Sequence, residues 1–276
     1  MINIDFWKVV LDLKKYKKHY LETATLNSDN AITSHKKMKN KIILFSIIAV
    51  NFCFTCKGQD RLGSWNILNI NVKLNPKWSF FTESQLRSLS FYNQFHYYDI
   101  KAAATYKLNK DLSATVGFGS YKTFSEGGNF NEPIQNEEIR SWLQINIKNP
   151  LQHFTLAHRY SLEQRFTSNG YKNRFRYRLS ATIPINQRKI AAKTFYILVW
   201  DELFLTNNEP YFERNRLFLG CGYEMNSNLT LQTGYIYQLD YKVNDETGRD
   251  FFNIALLYNF DLSKKQEKEL IPTTSD

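Results

Sequence analysis

The chain has 276 residues, with 36 Lys and Arg against 26 Asp and Glu, a formal charge of +10. Ten of those bases and four of those acids fall in residues 1–58, so the remainder carries only +4, and a nucleic-acid role loses most of its electrostatic footing. Mean hydropathy is negative despite 17 Tyr, 21 Phe and 5 Trp, which excludes a bundle of spanning helices but not a spanning barrel, where only alternate residues face lipid.

In chain order, residues 1–37 open with Met1-Ile2-Asn3-Ile4-Asp5-Phe6-Trp7 and a Lys-rich segment, Lys14 to Lys18. They are read as an upstream start assigned in error, or as a disordered leader. Residues 38–58 read as a secretory signal: basic Met38-Lys39-Asn40-Lys41, the apolar run Ile42 to Phe54, then Thr55-Cys56-Lys57-Gly58. That run is shorter than the ~20 residues a spanning helix needs. Cleavage after Gly58 would leave Gln59 at the mature end. Cys53 and Cys56 would leave with the signal, so Cys221 alone would remain and could form no intrachain disulfide.

Residues 59–262 read as one barrel domain. Eleven strand-like segments occur at about 62–74, 78–88, 95–108, 112–124, 137–148, 153–166, 172–184, 194–205, 212–225, 229–241 and 250–260. Several exceed the ~5–6 residues usual for soluble strands and keep one apolar, aromatic-rich face against one polar face. From Leu217 the odd positions run Leu217, Leu219, Cys221, Tyr223, Met225; after Asn226-Ser227-Asn228 they resume as Leu229, Leu231, Thr233, Tyr235, Tyr237. Asn75-Pro76-Lys77 and Asn109-Lys110-Asp111 are further three-residue turns, and in all three hairpins the apolar faces agree in parity. Longer connections are expected at Ser125 to Asn136 and Lys242 to Arg249. Because a single-chain bacterial barrel has an even count, the expectation is an antiparallel transmembrane β-barrel of about 12 strands, or failing that 10, with short periplasmic turns and longer outer loops. Asn253 to Phe260 has the pattern of a terminal signal for the barrel-assembly machinery, with Ala255 at its small position. A polar tail, residues 263–276, follows.

Arg165-Phe166-Thr167-Ser168-Asn169-Gly170-Tyr171, Asn173-Arg174-Phe175-Arg176-Tyr177-Arg178, Tyr211-Phe212-Glu213-Arg214-Asn215-Arg216 and Asn244-Asp245-Glu246-Thr247-Gly248-Arg249-Asp250 resemble an uncharacterised bacterial outer-membrane family, domain of unknown function 2490. The resemblance covers about Leu62 to Leu262. It implies a small barrel in the outer membrane and brings no activity, ligand or catalytic residue.

The polar faces carry the remaining signal. By parity about eleven basic and seven acidic side chains point inward. Candidate lumen-lining residues are Arg140, Arg159, Glu163, Arg165, Arg174, Arg176, Arg178, Glu202, Arg214 and Arg216, with Glu138 beside Arg140. Keeping both apolar faces outward sets Glu163 opposite Arg176 and Arg165 opposite Arg174. Two readings fit: a structural ladder of Arg–Glu pairs, or a basic constriction that selects anions. Gly117, Gly119, Gly220 and Gly222 fall on the inner face, where they make room for large neighbours. An enzyme reading rests on His158 with Ser141 diagonally beside it on the lipid face, without an acid to orient the imidazole. The loops Ser125 to Asn131 and Asn207 to Phe212 offer amides and single aromatics that suit a glycan. No His/Cys cluster has metal-ligand spacing, and no cofactor is expected. The expected partners are outer-membrane lipid and the assembly machinery, with no nucleic acid; the sequence leaves the oligomeric state and the solute open.

Overall fold

A computed structural model describes residues 62–242 and 245–263. The leader at 1–37, the signal at 38–58 and the tail beyond Ser263 lie outside the described residues.

Among the described residues the fold is all-β, eleven strands closed into one barrel: β1 (Leu62–Lys73), β2 (Trp78–Ser90), β3 (Asn93–Lys107), β4 (Leu112–Ser125), β5 (Asn131–Pro150), β6 (Thr155–Thr167), β7 (Gly170–Pro184), β8 (Phe195–Thr206), β9 (Phe212–Glu224), β10 (Leu229–Lys242) and β11 (Asp245–Asp261). The count is within one of the twelve expected from even parity and coincides with the segments counted directly. Each strand pairs with its neighbours in sequence, antiparallel. An odd number of such strands leaves the first and last pointing the same way, so only a parallel ladder can close the wall. That ladder runs from Leu62↔Asp250 to Lys73↔Asp261. Closure removes every edge that could template aggregation.

The three Asn-led turns share one chemistry. Asn75 Oδ1 accepts the backbone N–H of Lys77 at 2.9 Å and of Trp78 at 2.8 Å. Asn109 does the same for Asp111 and Leu112, and Asn226 for Asn228 and Leu229. A short side chain that mimics a backbone turn is why asparagine stands there. Register follows: Lys73↔Ser79, Lys107↔Ser113 and Glu224↔Thr230 continue each hairpin with parity intact.

The expected long loops are corrected. Most of Ser125 to Asn136 and of Lys242 to Arg249 is strand, because β4 with β5 and β10 with β11 pair out to Ser125↔Asn131 and Lys242↔Asp245. The longest connection, 185–194, lies at the same end as the short Asn-led turns. Within the 126–130 connection, the ring of Phe130 packs against Phe95, Tyr98 and Phe124 at centroid distances of 5.2–6.1 Å, so it is engaged by protein.

The two faces of the wall differ sharply. Outward lie Ile100, Phe118, Leu143 and Leu162, each exposed by 61 % or more. Inward, Trp65, Phe218, Ile236 and Phe251 form a buried apolar cluster, with Ile67, Leu198 and Trp200 against it. Inner glycines give large rings their space. A Cβ on Gly117 would sit 2.2 Å from the Trp142 ring and 2.7 Å from the Ala103 methyl; one on Gly222 would sit 2.1 Å from the Tyr196 ring. Gly117→Ala should therefore lower stability by about 1–3 kcal/mol, the usual cost of overpacking, seen as a lower midpoint in urea unfolding.

Candidate functional site

Inward parity along β5 to β9 brings a connected set of charges into the lumen. Glu138 accepts both Nε and Nη2 of Arg165, at 2.7 and 2.9 Å, and Nε of Arg140 at 2.8 Å. Arg165 and Arg174 share Glu213 at 3.0 and 3.3 Å. Glu163 binds Arg174 and Arg176, each at 2.6 Å, with Arg140 at 3.6 Å. Arg176 passes on to Glu202 at 2.7 Å, which also holds Arg178 at 2.9 Å and meets Arg216 at 3.9 Å. Arg214 pairs with Asp240. The result is one chain of alternating charge from Glu138 to Arg178. Forked, two-pronged guanidinium geometry fixes each member against the next.

Aromatic rings hold the arginines in place. Phe204 is fully buried, with the guanidinium carbons of Arg216, Arg176, Arg174 and Arg214 at 4.7, 4.8, 5.1 and 5.8 Å from its centroid. Arg178 lies 4.0 Å over Trp200, and Arg140 lies 3.8 Å over Tyr121. Arg87 is held between Trp65 at 3.4 Å and Tyr97 at 4.1 Å. Desolvated contacts of this kind favour the cation through the ring quadrupole.

Across the lumen, β1 to β3 carry a smaller cluster. Glu83 accepts Lys101 at 2.6 Å, Gln85 at 2.6 Å and Asn69 at 2.9 Å; Asp99 accepts the Tyr97 hydroxyl at 2.7 Å. Between the walls lies a cavity of about 730 Å³. Its lining draws on Thr123, Asn136 and Arg249 near one end and on Asn69, Gln144 and Leu257 towards the other. Eleven basic side chains line it: Arg87, Lys101, Arg140, Arg159, Arg165, Arg174, Arg176, Arg178, Arg214, Arg216 and Arg249. The acids are Glu83, Asp99, Glu138, Glu163, Glu213 and Asp240, with fully buried Glu202 behind Arg176 and Arg178.

Residues 62–249 match the family model described as a protein of unknown function, DUF2490. The chain is a member of the DUF2490 family. No curated protein and no solved structure matches it.

Of the ten lumen candidates read from this DUF2490 sequence, nine line the cavity and Glu202 is packed behind it. The pairing expected between β6 and β7 is off by two residues. Glu163 stands opposite Arg174 and Arg165 opposite Lys172, because Ser168-Asn169 close the hairpin and Gly170, at φ +107°, turns the chain. A shift of two preserves facing, so Glu163 still reaches Arg176 on the diagonal. Glu213 was missed because an irregularity sets Phe204 opposite Arg214 but Leu205 opposite Phe212, which leaves Glu213 as an extra residue turned towards the lumen. Parity alone would have found Arg87, Lys101, Glu83 and Asp240.

The His158–Ser141 proximity is corrected. His158 stands opposite Ile147, whereas Ser141 stands opposite Gln164 and bonds to it at 3.2 Å. Six residues of strand separate them, roughly 20 Å at ~3.3 Å per residue. His158 Nδ1 is 2.9 Å from the Tyr177 hydroxyl. Among the described residues no group of three His, Cys, Asp or Glu could hold a metal, and Cys221 is exposed on the outer face.

Proposed function

We propose that this DUF2490 chain is a bacterial outer-membrane barrel, made with a cleaved signal at 38–58, whose lumen is a narrow passage preferring small anions. The membrane reading is supported by an edgeless wall whose outward face is mainly apolar, from Leu68 and Phe80 through Val116 and Leu162 to Leu231, with polar side chains there such as Asp201 bonded to Asn215. One observation carries the functional reading: eleven cations against seven anions around a cavity that reaches towards both ends of the wall. Surplus fixed positive charge in a water-filled constriction raises the concentration of mobile anions.

The test is conductance of the purified barrel in a planar bilayer under a salt gradient. The expected result is small, steady current with a reversal potential on the anion side. Cation preference would refute the reading. A second reading, a structural envelope protein, is favoured by the interlocked ladder and the apolar cluster within the lumen; absence of any current would leave that one standing.

A further inference from the structure

We propose that the DUF2490 lumen contains a discrete oxyanion-binding site built on Arg159 and Arg178, taking phosphate or a carboxylate. The proposal deepens the lumen reading by naming where an anion rests. It stands on the neighbourhood of Arg159. This residue lines the cavity, yet among the described residues it makes neither a hydrogen bond nor an ion pair. Its cross-strand neighbours are Asn146 on β5 and Arg178 on β7. The inward diagonal positions beside it are Gln144, Lys148, Arg176 and Ser180, none of them acidic. Every other arginine on β5 to β7 that lines the lumen touches a carboxylate; Arg159 instead faces another cation. Like charges directly opposite on a sheet destabilise it unless something lies between them.

Arg178 has donors to spare. Among the described residues only its Nη2 is committed, to Glu202, and its Nε is buried without an acceptor. Trp200 covers the flat face of the guanidinium, and Nη1 makes no hydrogen bond to the described residues. Arg159, with its fork uncommitted, and Nη1 of Arg178 on the facing strand position offer several donors, which suit the oxygens of phosphate or carboxylate better than a spherical halide. The cavity, at about 730 Å³, falls in the range of small-ligand pockets.

The experiment is calorimetry on the folded full barrel in detergent, titrated with sodium phosphate and separately with sodium succinate, against sodium chloride at equal ionic strength. Saturable binding of phosphate or succinate beyond chloride is expected, and the stronger of the two identifies the source of the oxyanion. Arg159→Gln should weaken it about tenfold or more, with folding checked by heat-modifiable migration in gels. Arg159→Lys keeps the charge without the fork and serves if the Gln variant does not fold; an intermediate loss is expected. No binding beyond chloride, or wild-type binding in a folded variant, would overturn the site. The channel reading fails separately: oxyanion binding without bilayer current keeps the site and ends the channel.

Discussion

Glu163→Gln is expected to be among the most damaging single changes in the barrel. Glu163 is buried and touches Arg140, Arg174 and Arg176 at once. The amide keeps the shape and one acceptor oxygen but removes the charge that three guanidiniums share. Breaking a buried pair from one side costs about 3–5 kcal/mol, because the partner charges stay behind without compensation. Urea unfolding followed by gel migration should show a midpoint lowered accordingly. A compensating Arg174→Gln in the same chain should recover part of the loss. An unchanged midpoint in the single variant would mean the ladder adds no stability.

The second large effect separates membrane from water. Leu143 is 61 % exposed on the outer face, mid-strand opposite Leu162; Gln144, its neighbour, points inward and lines the cavity. In a bilayer, Leu143→Arg should cost about 2–4 kcal/mol near mid-membrane, whereas Gln144→Arg should cost much less. On a water-soluble barrel the same Leu143→Arg would stay within about 0.5 kcal/mol, as exposed substitutions do. Refolding yield into lipid vesicles reads the difference. The reverse order of damage would overturn the facing.

Much of this was legible in residues. Alternation over long segments fixed which side chains face in, because a period of two allows no third choice. Asparagine at Asn75, Asn109 and Asn226 marked hairpins through a side-chain turn that needs no tertiary context. Pairing partners were less legible: parity is blind to a slip of two, so Glu163 was set against Arg176 when its direct opposite is Arg174. Glu213 escaped because an extra residue in β9 breaks the alternation that reading depends on. Strand ends were blurred too. Polar stretches such as Glu132 to Glu137 lack an apolar face, and only a partner strand makes them β. The lack of an acid at the cross-strand and diagonal positions beside Arg159 belongs to three strands at once, and no single segment displays it.

The parallel closure has a consequence for how the chain can be rewired. β1 enters the wall at one rim and β11 leaves at the other, where Lys73 and Asp261 pair at 2.9 Å. Twelve paired residues separate those points, roughly 40 Å at ~3.3 Å per residue. A short linker joining the start of β1 to the end of β11 therefore cannot circularly permute this barrel, as it could one with an even count. Sequences fused before Leu62 and after Asp261 would emerge on opposite sides of whatever the wall spans, so a single barrel could display two cargoes, one to each compartment.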